Sequence, residues 1–317
     1  MAERAVLVTG ATGFVGAAVL ERLTREPGLV SVAAVRAPER WAGPGRAVSY
    51  DLLSDTLPDL AGVEAVIHCA ARVHVMAEAD SNPLQAYRAA NTEATARLAA
   101  HAAASGVKRF IFISTIKVNG ETTLGRGPFM ANEVASPQDP YGHSKYEAEQ
   151  ALTTLAALCS MQVVIIRPPL MYGPGVKANF RALMKALDRG LPLPCGALHN
   201  RRSMAGVHNL ADLVVHCIGA PSAAGVYLVR DQEQPSTSEL IAALAQAMGR
   251  SPRLLPVPAT WLRRVGALLG KEAVVSRLCD PLEVDIAQTC TQLSWQPPVT
   301  LEEGLRQTAQ AYYKEQK

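Results

Sequence analysis

Apolar residues in the first half of this chain come in short solid runs rather than in alternation. Ala5–Thr9 (AVLVT), Ser31–Arg36 (SVAAVR), Ala65–Cys69 (AVIHC), Phe110–Ser114 (FIFIS) and Gln162–Arg167 (QVVIIR) are rich in β-branched residues and nearly free of polar positions. A strand with one face in water would alternate apolar with polar, so these runs predict strands covered on both faces. The stretches between them, Ala17–Arg25, Ala86–Ser105 and Tyr141–Ala157, are alanine- and leucine-rich and predict helices. Strand and helix in turn give an α/β fold, a doubly wound parallel sheet.

Past Pro168 the pattern loosens, with proline and glycine punctuating 168–175 (PPLMYGPG) and 190–196 (GLPLPCG). The expected division is a dinucleotide-binding domain over 1–168 and a smaller substrate lobe over 169–317, laid on the C-terminal edge of the sheet. A segment at about 205–220 is expected to return and pack on the first domain. Ligands of open α/β sheets bind at that edge, so a lobe there has a physical purpose.

The composition narrows the picture. A chain of 317 residues suits two domains or one large α/β unit, and 49% apolar with 19% charged residues is ordinary for a globular protein. The net charge of +3 is too weak to point to nucleic acid. Cys69, Cys159, Cys195, Cys217, Cys279 and Cys290 lie far apart, with no C-x-x-C pair and no histidine cluster at ligand spacing, so buried thiols are expected and a metal site is not. The N-terminal segment shows no h-region, and no run of 18 apolar residues occurs, so a cytoplasmic chain without a membrane segment is expected.

The first strand runs into TGATGFVG, which sets Gly10, Gly13 and Gly16 three apart where strand should give way to helix. That is the context a Rossmann dinucleotide site requires. Gly10 permits the tight turn, Gly13 lets the backbone approach a pyrophosphate, and Gly16 lets helix pack on strand. The helix N-terminus offers free N–H groups to the phosphates. At the end of the second strand, where NAD enzymes usually hold a ribose-binding acid, this chain has Arg36, with Glu39 and Arg40 behind it. A guanidinium accepts no hydrogen bond but suits a 2′-phosphate, so NADP(H) is preferred and NAD(H) stays open.

The sequence QDPYGHSKYEA at 138–148 places Tyr141 one helical turn ahead of Lys145, behind Pro140 and a capping Asp139. Taken with the glycines, HCAA (68–71), Asn91, FISTIKVNG (112–120), RPPLMYGPG (167–175) and RRSMAGVHNLAD (201–212), it resembles the extended short-chain dehydrogenase/reductases over nearly its whole length. The nucleotide-sugar branch, the UDP-glucose 4-epimerase-like proteins, is the most similar. The resemblance implies that Tyr141 passes a proton to or from a sugar hydroxyl, that Lys145 assists it and holds the nicotinamide ribose, and that Thr115 rather than Ser114 bonds the reacting oxygen. It implies further cofactor contacts from Thr12, Phe14, Asp51, Leu52, Ala70, Ala71, Asn91 and Pro168. A phenol titrates near 10, so the lysine and the positive end of the helix are expected to draw Tyr141 downward.

The resemblance also bears on the reaction. Sugar 4,6-dehydratases of this family carry an Asp-Glu pair directly after the threonine; here Ile116 and Lys117 stand there, which disfavours dehydration. Reduction of a UDP-linked 4-keto-6-deoxy-N-acetylhexosamine, as in the STIKVNGE-like subgroup of surface-polysaccharide pathways, is the leading expectation because of Arg36. A UDP-hexose 4-epimerase with retained NAD is the close alternative, and a non-catalytic dinucleotide-binding sensor a remote one. Asn179 and Arg202 match positions that contact a UDP-sugar; Lys177 is a weaker candidate, and Arg201 reads as solvated. His74 and Met76 could border the sugar, while His208 and His216 read as packing residues. A homodimer through 86–105 and 141–157 is implied. The amphipathic stretch 261–271 (WLRRVGALLGK) reads as lobe packing, with membrane contact as the alternative.

Overall fold

The computed structural model describes residues 4–73 and 82–316. Strands β1 (Arg4–Thr9), β2 (Leu29–Val35), β3 (Arg46–Ser49), β4 (Val63–His68), β5 (Arg109–Ile113), β6 (Gln162–Arg167) and β9 (Gly225–Leu228) form one parallel sheet in the order β3-β2-β1-β4-β5-β6-β9. A two-stranded parallel pair, β7 (Leu170–Tyr172) and β8 (Met204–Gly206), stands apart. The order reverses at β1, so the crevice of this doubly wound sheet opens beyond the C-terminal ends of β1 and β4.

Helices α1 (Phe14–Leu23) and α6 (Val207–Gly219) cover one face of the sheet. They bury Val19, Leu20, Leu23, Leu210, Leu213 and Val214 against it, and Arg22 bonds Asp212 at 2.8 Å. Arg109 reaches from β5 to the last carbonyls of α6, Cys217 and Ile218, and so neutralises that helix's negative end. The other face is covered by α3 (Ala94–Ala104) and α4 (Pro140–Ala156), whose Leu98, Ala99, Ala102, Ala148 and Leu152 meet Phe110, Phe112 and Ile165. A short helix, α2 (Pro83–Tyr87), continues through a π-helical stretch, Arg88–Glu93, into α3.

The lobe packs α5 (Ala178–Asp188), α7 (Thr237–Ala247) and α11 (Leu301–Lys314) around Tyr172 and Phe180, with α8 (Ala259–Leu268) and α9 (Glu272–Cys279) completing it, while α10 (Ala287–Leu293) lies against β9. At its junction with the sheet, Asp231 accepts from the Tyr172 hydroxyl at 2.7 Å, the Gly206 N–H at 2.9 Å and Asn209 at 2.6 Å.

The five strands, three helices and fold class expected from the sequence are present. Four strands add to them, the β7–β8 pair and two in the main sheet. β3 (RAVS) is a four-residue edge with no fully buried position, and β9 (GVYL) is equally short, so neither forms a long apolar run. The helix expected over 86–105 is bulged at Asn91. Single-turn π segments occur mostly at functional sites.

Candidate active site

Gly10 lies in the left-handed region, φ +64°, and a Cβ there would come 2.7 Å from the Ala70 nitrogen. A Cβ on Gly16 would come 2.2 Å from the Gly10 carbonyl oxygen. The turn and α1 therefore pack backbone on backbone, which only glycine allows. Gly13 is the N-cap of α1 and no side chain caps that end, so the first-turn N–H groups face outward past exposed Thr12 and half-buried Phe14. A cradle of this shape fits a dinucleotide pyrophosphate.

Behind the turn runs a chain of buried hydroxyls and an imidazole. The Ala70 N–H donates to Thr9 Oγ1 at 3.2 Å, and Thr9 Oγ1 lies 2.7 Å from His68 Nδ1. His68 Nε2 lies 3.0 Å from Thr95 Oγ1, which donates to the Asn91 carbonyl at 2.7 Å. With Thr95's hydrogen committed to Asn91, His68 must carry its proton on Nε2 and accept on Nδ1. Burial, with Lys145 nearby, pulls its pKa down to about 3, so it is neutral. The Asn91 side chain accepts from the Arg72 N–H at 2.8 Å and donates to the Arg72 carbonyl and Ser144 Oγ, both at 3.0 Å. Asn91 thus clamps the loop after β4 to helix α4.

Helix α4 begins as its sequence demands. Pro140 is its first residue, and Asp139 caps it by accepting from the Gly142 N–H at 2.6 Å. A Cβ on Gly142 would lie 3.2 Å from the Lys117 carbonyl oxygen, so the turn after β5 rests directly on the start of the helix beside Tyr141. Lys145, only 1% exposed, has no hydrogen bond or ion pair among the described residues; its Nζ sits 3.9 Å above the Phe112 ring. Burial lowers its pKa to about 7.

Tyr141 departs from expectation. Burial raises its phenol above the ordinary value, and Asp139 and Tyr87 push it the same way. Removing the ring from water outweighs what a lysine one turn away can contribute, because that lysine is itself held close to losing its charge. The Tyr87 ring meets Tyr141 edge-on at 6.0 Å, and Arg72 lies over the Tyr87 ring.

At the end of β5, Ser114 donates to Glu149, which is itself bonded to Arg167. Thr115, its neighbour, accepts from the Lys117 N–H at 3.3 Å and keeps its own hydroxyl hydrogen uncommitted among the described residues. Ile116 is buried, and Lys117 bridges Asp139 and Glu121, so neither position offers a carboxylate. Arg202 is held by the Asp280 carbonyl at 2.8 Å and feels the charges of Asp280 and Glu121, which ties it to the Lys117–Asp139 corner. Arg201 pairs instead with Glu283 at 3.3 Å.

The remaining candidates are less connected. Arg36 is exposed just past β2, without an ion pair or hydrogen bond among the described residues; Glu39 lies 3.9 Å from Arg40. Asp51 forms a turn with Leu53 after β3, and Leu52 packs on the core; both sit on the sheet's C-terminal edge. Ala71 is half-buried beside Ala70, and buried Pro168 accepts from the Ile116 N–H at 2.9 Å. Asn179 and Lys177 are exposed at the start of α5. His208 bonds Gln307 and His216 bonds the Leu293 carbonyl. His74 and Met76 lie outside the described residues. Among the described residues no group of three His, Cys, Asp or Glu could hold a metal, and no helix is long and apolar enough to cross a membrane. His68, Thr95, Tyr87 and Ser144 were not singled out from the sequence. Only the polar His68 at the end of an apolar run hinted at them.

This geometry is that of a nicotinamide-dependent short-chain dehydrogenase/reductase. The chain belongs to the NAD dependent epimerase/dehydratase family, which it matches over residues 6–229. It is 47% identical to a UDP-glucose 4-epimerase of Vibrio cholerae, over 98% of this chain and 95% of that protein. An N-acetyl-alpha-D-glucosaminyl-diphospho-ditrans,octacis-undecaprenol 4-epimerase of Escherichia coli O157:H7 is 27% identical, over 96% of this chain and 94% of that protein. Among solved structures, UDP-glucuronic acid 4-epimerase from Bacillus cereus with NAD superposes with a TM-score of 0.77 at 21% identity, covering 99% of this chain and all of that one.

Proposed function

We propose that the chain is a nucleotide-sugar 4-epimerase acting on a sugar whose C1 carries a diphosphate. The observation that supports it best is Tyr141 one turn ahead of a buried Lys145 that has no ion pair or hydrogen bond among the described residues, where no carboxylate follows Thr115 to drive elimination. The V. cholerae and E. coli relatives, both 4-epimerases by name, weigh the same way and stand against ranking reduction first. Gly10, Thr12, Gly13, Phe14 and Gly16 would hold the pyrophosphate of the cofactor. Arg36, Asp51 and Leu52 would take its adenosine half, and Ala70, Ala71, Asn91, Pro168 and Lys145 its nicotinamide half. The nicotinamide, when bound, would supply a reversible hydride acceptor for C4 of the sugar.

The chain's own residues handle the proton. Tyr141 takes the C4 hydroxyl proton and gives it back, with Thr115 donating its free hydrogen to the same oxygen. Burial makes the Tyr141 phenolate costly and depletes the charge on Lys145, so the proton transfer would need the bound ligands to offset both. Arg202 and Asn179 would contact the diphosphate side of the substrate. The side-by-side faces of 86–105 and α4, joined by Arg88 and Glu147, would form a homodimer, which light scattering would test.

The test is to release and identify the nucleotide from purified protein, then offer UDP-hexoses, UDP-N-acetylhexosamines and a polyprenol-diphosphate sugar. Interconversion with no net change in nicotinamide absorbance is expected. A second reading, 4-keto reduction, is favoured by exposed, unpaired Arg36. It requires one NADPH consumed per UDP-4-keto-6-deoxy-N-acetylhexosamine. NADPH should then bind about one to two decades more tightly than NADH, and Arg36→Asp should erase that gap.

A further inference from the structure

Helix α8 is apolar on two sides. On the inner side, Ala259 and Leu262 join the lobe's core, and Gly266 lets α9 approach so closely that a Cβ would meet Val275 at 2.6 Å. That contact already accounts for the packing of α8. On the outer side Trp261, Val265 and Leu268 recur at i, i+4 and i+7, the spacing of a single stripe, and are 60%, 48% and 86% exposed. Leu269 at the turn, 64% exposed, and Val274 on α9, 53% exposed, extend the patch.

The charges around it are predominantly basic. Arg264, Lys271 and Arg277 are exposed and have no ion pair among the described residues, whereas Arg263 is engaged with Asp280. Glu272 is the only acidic residue between 259 and 279. A second copy of the chain, apposed about a two-fold axis, would bring Arg264 and Lys271 against their own equivalents. An anionic phospholipid surface satisfies both parts, since its headgroups take the basic residues and the acyl boundary takes tryptophan and leucine.

We propose that the α8–α9 hairpin docks this protein in the plane of an anionic membrane. At ten residues α8 is far too short to span a bilayer. Arg263 and Arg202 both bind Asp280, so the docked hairpin connects directly to the candidate diphosphate-binding arginine.

Vesicle flotation of the full chain tests this. Vesicles of phosphatidylethanolamine with phosphatidylglycerol should carry the protein, and pure phosphatidylcholine vesicles should carry much less. Trp261→Ser with Leu268→Ser should lower the bound fraction about tenfold or more, as should Arg264→Glu with Lys271→Glu. All four side chains are exposed, so circular dichroism should be unchanged. Trp261→Phe should still float but lose the blue shift of tryptophan emission, because Trp295 is buried and Trp41, half-buried against the sheet, lies outside the patch. The proposal fails if the wild type stays unbound on every vesicle, or if the serine pair floats as well as the wild type. It fails equally if that pair lowers the oligomeric mass while the wild type ignores lipid, which would make the patch a contact between chains.

Discussion

Helix α4 buries two ionisable side chains one turn apart and surrounds them in opposite ways. Glu149 accepts from Ser114 and from Arg167, at 2.6 Å for the shorter guanidinium contact, and Arg167 goes on to Asn119 at 3.0 Å. Lys145, no more exposed, has an aromatic ring and no hydrogen bond among the described residues. A buried charge without a partner is expensive, and folding alone gives no reason to keep one. The satisfied pair behaves as architecture that fixes the end of β5 against β6. The unsatisfied lysine is stability given up so that its partner can arrive with the ligands.

That contrast breaks most visibly in activity. Tyr141→Phe and Lys145→Met should each lower turnover by about two to four orders of magnitude, measured on the best substrate of the panel. Neither should lower the melting temperature, and a cold, inactive but unfolded Tyr141→Phe would remove the distinction. On stability the two sites should move in opposite directions. Arg167→Met leaves Glu149 buried and unpaired and should cost about 3–5 kcal/mol in urea unfolding. Lys145→Met should instead stabilise, by roughly 4 kcal/mol at pH 7 and below, since burial lowers the lysine from 10.5 to about 7. The gain should shrink as pH rises toward 10.5, where the unfolded lysine also loses its proton.

Ser114 and Thr115 sharpen the same comparison over adjacent residues. Ser114→Ala strips a hydrogen bond from Glu149 and should cost about 1–3 kcal/mol of stability. Thr115→Ala should spare stability and lose more turnover. The reverse order would mean that Ser114 faces the substrate.

The last effect is a slope, small for each pH unit. The unfolded chain protonates His68 below about pH 6.5, but the folded chain resists until about 3. Stability should therefore fall by about 1.4 kcal/mol per pH unit as the pH drops through that window. His68→Gln should flatten the slope of urea melts, and an equal slope in the variant would place its source elsewhere.

Much of this was legible in the sequence because it resides in the backbone. Gly10, Gly13 and Gly16 follow from close approach, and Pro140 with Asp139 marks a helix start; each leaves a trace in residue type. The sheet strands that were missed, β3 and β9, like the three-residue β7 and β8, are held by their neighbours rather than by apolar length. The direction of the Tyr141 shift depends first on burial in the folded site, with Asp139 and the distant Tyr87 adding to it, and no spacing rule within α4 encodes that burial. The difference between Arg201 and Arg202 likewise rests on Glu283 and Asp280, some eighty residues on.

The hydrogen chain from Ala70 to Asn91 has a practical use. It holds one imidazole in one tautomer, with its Nε2 proton sealed from solvent exchange and its Nδ1 coupled through Thr9 to the amide of Ala70. That amide sits against Gly10, in the turn where the cofactor would enter. The nitrogen resonances of His68 in a histidine-labelled sample are thus a native probe of that turn. They should hold constant across neutral pH and shift when a dinucleotide is added.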